Sequence, residues 1–231
     1  MDKEKRNSRT IIICDFDNTI TKGDVTDYIY LKYLGDKFWE INELWEAGRI
    51  GTPEAYEMGS ALVRITPEQF DQAVDEVEID PYFPEFYQFC RDEGLELYIV
   101  SDGLDRYVER VLRKHGLTEI PVYTNSVSFQ EDRMVMSFPY QDEECDLCGT
   151  CKEAILEKLR GEGDLAILIG DGGSDFCVAH SADIVFAKGR LKDYCEENGI
   201  PFIPFQSFQD ILKWFREDGM ARWKEGLTRE K

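Results

Sequence analysis

The amino-acid sequence predicts an α/β fold: a Rossmann-like parallel sheet with helices on both faces, a helical cap inserted after the first strand, and a small β-hairpin. Three observations lead there. Short runs rich in Ile, Val and Leu recur at 11–14 ("IIIC"), 95–100 ("LELYIV"), 165–170 ("LAILIG") and 183–187 ("DIVFA"), each stopped by a turn or a charged residue. Stretches with helical spacing lie between them, and unbroken apolar runs are what strands buried on both faces need. Between about 22 and 78 no strand-like run occurs, and apolar residues fall at helical spacing.

In chain order, the first strand runs into "DFDNT" at 15–19. The insertion follows, with Tyr28, Leu31, Leu34 and Phe38 spaced as on a helix face. Pro53 and Pro67 each follow a Thr and read as helix starts. This divides the chain into a core, 1–21 and 79–231, and a cap, 22–78. The second strand ends at "SDG", 101–103. "VYTNSVSFQEDRMVMSF" at 122–138 reads as a hairpin with its polar tip at Glu131–Asp132, and Asn125 marks a further strand end. "KEAILEKL" from Lys152 is helix-like, the next strand ends at "GDGGSD", 170–175, and "IPFIPF" at 200–205 reads as a shorter strand. The tail "EDGMARWKEGLTREK" is polar and reads as loosely packed.

Length and charge bound the function. The 231 residues suffice for one α/β core plus an insertion. A formal net charge of −20 argues against nucleic acid and anionic membrane as partners. No apolar run approaches the roughly 20 residues of a spanning helix, and "MDKEKRNSRT" is not a signal peptide, so a cytoplasmic protein is expected. Oligomeric state is not legible. Of seven cysteines, Cys14, Cys90, Cys177 and Cys195 are scattered, whereas Cys145, Cys148 and Cys151 show C-x₂-C-x₂-C spacing. That spacing suggests zinc or an iron–sulfur cluster, but no fourth ligand is adjacent in sequence. A local disulfide, or free thiols shaping the loop before Lys152, is the preferred reading.

Ligands of such sheets bind beyond the carboxyl ends of the strands. Asp15, Asp17, Ser101, Asp171 and Asp175 therefore converge on one expected pocket. Several carboxylates in one pocket repel unless a hard cation compensates, and oxygen ligands with a phosphate substrate suggest Mg²⁺. Lys152 supplies a fixed positive charge, with Lys114, Lys158 and Lys188 as weaker competitors. Carboxylates, a lysine, a cation and small hydroxyls suit phosphoryl transfer: one carboxylate attacks phosphorus, and a second protonates the leaving oxygen and then activates water. His115 and His180 read as helix-end residues without a role. An isolated "DFDNT" reads first as a strand-end turn with helix caps; the other motifs, in order, turn the reading to chemistry. Two other functions remain open: a receiver-like module storing phosphate on Asp15, and a binding protein without turnover. An acid/base two residues from the phosphoacceptor, and a cap to sequester substrate, favour an enzyme acting on a small soluble phosphate ester.

"DFDNT", "SDG", a lysine and "GDGGSD", in this order, resemble the haloacid dehalogenase superfamily of phosphohydrolases over nearly the whole chain. The resemblance implies Asp15 as nucleophile and Asp17 as acid/base. It implies Thr19, Ser101 and Lys152 as holders of the phosphoryl group, with Asp102, Gly103 and Asn125 at neighbouring strand ends on the substrate side. Asp15, the Asp17 backbone carbonyl and Asp171 would bind Mg²⁺, and Asp175 would orient Lys152 or the waters of the metal. The insertion looks like the helical cap of the phosphoserine-phosphatase-like branch. "CDLCGTCK", "GDGGSDFC" and "ADIVFAKGRL" look like two groups within it, the methionine-salvage phosphatases acting on 2-hydroxy-3-keto-5-methylthiopentenyl-1-phosphate and the phosphoethanolamine/phosphocholine phosphatases. Phosphoserine phosphatases match less well: Gly59 falls where their cap arginine holds the substrate carboxylate, with Arg64 nearby. Asp24 falls where they carry an acidic residue that meets the substrate amine. Asp24, Met58 and Arg64 are thus candidate specificity residues.

Overall fold

The computed structural model describes residues 8–217 and 219–221; the first seven residues and the polar tail from 222 onward lie outside the described residues. Seven strands form one sheet: β1 (Thr10–Cys14), β2 (Glu96–Leu104), β3 (Val122–Gln130), β4 (Arg133–Ser137), β5 (Leu165–Gly170), β6 (Ile184–Ala187) and β7 (Ile203–Pro204). Their order is β4-β3-β2-β1-β5-β6-β7, and every pair is parallel except β3–β4. Strand order reverses at β1, which pairs β2 on one side and β5 on the other. The crevice for a ligand opens at such a switch point, beyond the carboxyl ends of the central strands. Cys14 stands opposite Ile169 in this register, so the segments after β1 and β5 emerge side by side.

The apolar runs form central strands because both of their faces are covered. On one face, Ile12, Cys14, Ile99, Ile167 and Phe186 pack with α5 (Phe83–Asp92), α6 (Asp105–Lys114) and α10 (Phe208–Arg216). On the other, Ile11, Ile13, Leu168 and Val185 pack with α7 (Lys152–Leu159), α8 (Phe176–Ala179) and α9 (Gly189–Asn198). In α6 the residues Tyr107, Val108, Val111 and Leu112 are buried, the one-sided stripe of a helix lying on a sheet.

Between β1 and β2 stand four further helices: α1 (Val25–Leu34), α2 (Lys37–Glu46), α3 (Thr52–Leu62) and α4 (Pro67–Asp75). The chain leaves and re-enters the core through a paired neck: Lys22 N donates to Glu78 O at 3.0 Å, and Asp80 N donates to Ile20 O at 2.8 Å. Arg106 and Arg110 of α6 each make a forked ion pair to α4, with Asp71 and Asp75 respectively, at 2.7–2.8 Å.

Several sequence expectations take a different form. The stripe Tyr28, Leu31, Leu34 and Phe38 spans two helices, because Gly35 at φ 58° ends α1, and Leu31 is left exposed. Thr66 caps α4 through a reciprocal bond with Gln69, whereas Gly51 caps α3 and Thr52 lies within it, taking a bond from Trp45 Nε1 at 3.1 Å. The hairpin turns at Glu131–Asp132, yet its first strand belongs to the main sheet through Val122, Tyr123 and Asn125. β7 shrinks to two residues, since Pro201 and Pro204 have no N–H for a ladder.

Phe208 joins the start of α10 to α5 and to Phe205, the residue after β7. It is fully buried, with ring centroids 4.9 Å from Phe83 and 5.1 Å from Phe86. Phe208→Ala is expected to cost about 3–5 kcal/mol in urea unfolding. The corresponding fall in melting temperature is roughly 10 °C. A loss under about 1 kcal/mol would show that this aromatic cluster repacks freely.

Candidate active site

Asp15 follows β1 directly, and its backbone N donates to Ile169 O of β5 at 2.9 Å. Its carboxylate is 2.8 Å from Lys152 Nζ, and that ammonium also donates to Asp175 Oδ1 at 2.6 Å. Lys152 opens α7, so the helix delivers it to the sheet end; its side chain and that of Asp175 are wholly buried. Asp175 Oδ2 takes bonds from the backbone N of Asp171 (3.0 Å) and Gly172 (3.1 Å), which fixes the turn after β5. A Cβ at Gly170 would fall 2.3 Å from Asp175 Oδ2, so the glycine makes room for this carboxylate. Asp15, Asp171 and Asp175 each offer an oxygen within 4.8 Å of the other two. Burial pulls the Lys152 ammonium down, but Asp15 and Asp175 more than offset this and hold it charged. Burial pushes the Asp15 and Asp171 carboxyls up, Asp171 to about 7, with Asp175 adding to both and Lys152 opposing. Such a set of hard oxygens, raised by mutual repulsion, fits a divalent cation of the Mg²⁺ kind.

Asp17 is held apart from that cluster. Its Oδ1 accepts from Val25 N at the start of α1 (2.9 Å), and its Oδ2 accepts from Tyr107 OH (2.5 Å). Burial raises its pKa well above the ordinary range and the Asp24 charge adds to this, against the bonds from Tyr107 and Val25. Its carboxylate is engaged elsewhere, so only its backbone carbonyl remains for the metal role that the resemblance implies. Gly103 makes the Tyr107 contact possible: a Cβ there would lie 2.0 Å from Tyr107 OH and 2.6 Å from Asp17 Oδ2.

A cavity of about 220 Å³ opens over these groups, lined by Asp15, Asp17, Ser101, Asp102, Gly103 and Asp171 from the core and by Asp24 from the edge of the insertion. Ser101 Oγ accepts from Gly103 N at 3.0 Å, which curls the strand end. Asp102 Oδ1 takes bonds from Thr150 N (2.7 Å) and Asn125 Nδ2 (3.2 Å), while its buried Oδ2 has no hydrogen-bond partner among the described residues. Asp24 caps α1 through a bond from Asp27 N at 2.9 Å. The far wall is largely aromatic, from Tyr30, Phe38, Trp45 and Tyr56. Arg190 enters from α9, its guanidinium 5.6 Å from the Trp45 ring centroid.

Three residues expected at the substrate stand away from the cavity. Thr19 does not line the cavity; its hydroxyl donates to Asp171 Oδ1 at 2.9 Å and so positions that carboxylate. Asn125 is fully buried, and its amide is spent on Asp102 and on Thr150 Oγ1. Arg64 is exposed at the end of α3, its guanidinium turned back onto the carbonyls of Ala61 and Val63. Lys152 meets the cavity through Asp15 rather than by lining it. The sequence reading missed Tyr107, Tyr56, Thr26 and Arg190. Tyr56 OH donates to Asp102 O at 3.2 Å and shares a 2.9 Å bond with Thr26 Oγ1. A tyrosine on an amphipathic helix carries no sequence signal separating it from core.

Comparison with known proteins agrees with this geometry. Residues 10–196 match the family described as "Putative Phosphatase". Two curated relatives are named 2-hydroxy-3-keto-5-methylthiopentenyl-1-phosphate phosphatase. That of Brevibacillus brevis is 32% identical over 214 residues, covering 90% of this chain and 95% of the relative. That of Exiguobacterium sibiricum is 32% identical over 209 residues, covering 87% and 94%. Among solved structures, a substrate-bound phosphoserine phosphatase superposes with a TM-score of 0.68 at 20% identity, covering 90% of this chain and 99% of that one. A HAD family hydrolase from Salmonella enterica subsp. enterica serovar Typhi gives 0.69 at 18% identity, covering 91% and 72%. At these identities the structural likeness concerns the fold alone. Taken with the strand-end carboxylates and the buried lysine, the family match and the two relatives give one conclusion: the chain belongs to the phosphatase family described as "Putative Phosphatase".

Proposed function

We propose that the chain hydrolyses a small phosphomonoester through an aspartyl-phosphate on Asp15, with residues 22–78 acting as a cap over the reaction. The observation that carries this reading is the division of labour between two aspartates two residues apart: Asp15 is ion-paired to Lys152, whereas Asp17 is bonded to Tyr107 and the α1 backbone. Asp15 attacks phosphorus, the bond from phosphorus to the leaving oxygen breaks, and Asp17 gives its proton to that oxygen. Asp17, now ionised, takes a proton from water; the water oxygen attacks phosphorus and the bond to Asp15 breaks, releasing phosphate. Lys152 holds Asp15 in place and balances its charge. Asp15, the Asp17 carbonyl and Asp171 would hold Mg²⁺, which when bound neutralises charge on the phosphoryl oxygens. A burial-raised pKa suits Asp17 to the acid role at neutral pH.

For the substrate, the cavity favours a small ester whose leaving group is apolar and lacks a carboxylate. The cap wall is aromatic, and Gly59 has no room for a longer side chain, since even a Cβ would meet the Tyr30 ring at 2.3 Å. This supports a substrate of the class named for the Brevibacillus relative, 2-hydroxy-3-keto-5-methylthiopentenyl-1-phosphate. A second reading has an observation of its own. Asp24 and Asp27 both line the cavity, and burial with the neighbouring Asp24 and Glu46 charges pushes Asp27 up to about 8. A cationic leaving group, as in phosphoethanolamine or phosphocholine, would relieve that repulsion. The small cavity and the −20 net charge disfavour polyanions and folded phosphoproteins. A soluble, cytoplasmic setting is consistent with the absence of any helix, among the described residues, long and apolar enough to cross a membrane.

Asp15→Asn is expected to abolish phosphate release while leaving the fold intact, because an amide cannot attack phosphorus. Asp17→Asn is expected to lose roughly 10²–10⁴-fold on unactivated esters. With an aryl phosphate, whose leaving group needs little protonation, its phosphoenzyme should accumulate and be trapped by acid quench. Near-normal turnover by Asp17→Asn on unactivated esters would reverse the assignment of roles.

The pH profile should move in opposite directions in two variants. Activity in kcat/KM falls on the alkaline side as Asp17 loses its proton. The Asp24 charge raises the Asp17 pKa and the Tyr107 bond lowers it. Asp24→Asn, which keeps a good helix cap, is therefore expected to move the alkaline limb to lower pH, and Tyr107→Phe to higher pH. Substrate choice is read from kcat/KM at fixed Mg²⁺ and salt. The methionine-salvage ester should rank first, ahead of phosphoethanolamine, phosphocholine and phosphoserine. Phosphoserine leading by tenfold, about 1.4 kcal/mol, would overturn the reading of the cap wall and direct attention to Arg190.

A further inference from the structure

Arg190 is the only cationic side chain among the residues lining the cavity, where Asp24, Asp27 and Glu46 add acids to those of the core. Its backbone is fixed to the turn that carries Asp171. Leu191 N donates to Asp171 O at 2.8 Å, and Gly189, at φ 51°, lies so close that a Cβ would stand 3.0 Å from the same carbonyl oxygen. Its tip rests on the opposite wall, the guanidinium 5.6 Å from the ring centroid of Trp45 in α2. That ring is itself held, since Trp45 Nε1 donates to Thr52 Oγ1 at 3.1 Å. Arg190 therefore crosses the cavity mouth from the core to the insertion. Among the described residues its guanidinium makes no ion pair and no hydrogen bond. A guanidinium stacked on an indole is oriented by the ring face, while the N–H groups around its edge stay unspent.

We propose that Arg190 is a specificity-determining residue for phosphate esters whose leaving oxygen belongs to an enol conjugated with a carbonyl. The inference rests on the function proposed above and narrows the leaving group that the site favours. In 2-hydroxy-3-keto-5-methylthiopentenyl-1-phosphate, the ester oxygen is joined through a C=C bond to the 3-keto carbonyl. When the bond from phosphorus to that oxygen breaks, the electron pair spreads over the O–C=C–C=O unit. The 3-keto oxygen then takes a share of the negative charge. Asp17 gives its proton to the ester oxygen at one end of this unit, and the Arg190 guanidinium donates hydrogen bonds at the other. A ketone oxygen is a weak acceptor in the bound ester and a strong one as charge reaches it. The contact therefore favours the transition state over the ground state. Phosphoethanolamine and phosphocholine have an alkyl ester oxygen with no conjugated partner, and their cationic ends gain nothing from a guanidinium.

The test compares wild type, Arg190→Gln and Arg190→Lys as full chains with Mg²⁺. Arg190→Gln is expected to lose roughly 10–100-fold in kcat/KM on the methionine-salvage ester, mostly in kcat, and to stay within about threefold of wild type on phosphoethanolamine and phenyl phosphate. Arg190→Lys keeps the charge without the fork and should recover part of the loss. Arg64→Gln, exposed on the insertion, should match wild type throughout. A second arm needs no turnover of that ester. Its dihydroxy-keto product, a conjugated enol that ionises readily, is prepared with a nonspecific phosphatase and kept under argon. It should inhibit phenyl phosphate hydrolysis competitively, and roughly tenfold more weakly in Arg190→Gln. Equal losses on every ester would make Arg190 a general support and overturn the proposal. So would a selective loss on phosphoserine, the mark of a carboxylate holder. Wild-type protein that hydrolyses phenyl phosphate but not the methionine-salvage ester overturns the substrate reading instead. The product competition then decides on Arg190 by itself, and unchanged inhibition of Arg190→Gln overturns its role.

Discussion

One buried ammonium governs this architecture. Lys152 sits with no solvent contact between Asp15 and Asp175, at 2.8 and 2.6 Å. Removing the lysine from such an arrangement leaves two buried carboxylates uncompensated, a cost of several kcal/mol. The surroundings are correspondingly constrained. Asp175 is pinned by two backbone N–H groups of the turn after β5, Gly170 clears the space it occupies, and Asp171 is delivered beside Asp15 by the same turn. The β1–β5 register then matters chemically, since a slip would separate the lysine from one carboxylate.

The insertion is attached to the core at several places. α4 is bound to α6 by the two forked arginine pairs, with Phe70, Ala73 and Val74 buried in the apolar cluster beneath the sheet. α1 to α3 contribute to the cavity wall and continue the same cluster through Val25, Ile29, Phe38 and Tyr56, with α3 packed on β4 and polar bonds from Thr52 N to Leu147 O and from Tyr56 OH to Asp102 O.

Much of the site was legible because its residue types are implausible as core. Acidic pairs and glycines placed straight after strand-like runs, as in "DFDNT" and "GDGGSD", have few structural explanations once three such ends occur in order. The strands were legible from their apolar runs, and Thr66–Pro67 from its capping chemistry. What failed was direction. Arg64 has the right type and the right neighbourhood, but the end of α3 turns its side chain to solvent. Thr19 and Asn125 belong to the site through carboxylates they hold rather than through the cavity. Tyr107 was invisible for the opposite reason, since it looks ordinary until the fold brings it beside Asp17, distant in sequence.

The bare Cα of Gly103 has a consequence for how such a site can change over evolutionary time. Tyr107 reaches Asp17 only across the space that a side chain at 103 would fill. Positions 17, 103 and 107 are therefore not free to drift independently: a methyl group at 103 displaces the phenol, and losing the phenol alters the proton affinity of Asp17. Residues in such contact show non-additive effects when they vary. A lineage or a library can alter the aromatic cavity wall of the insertion one residue at a time, but it must treat this trio as a single inherited unit.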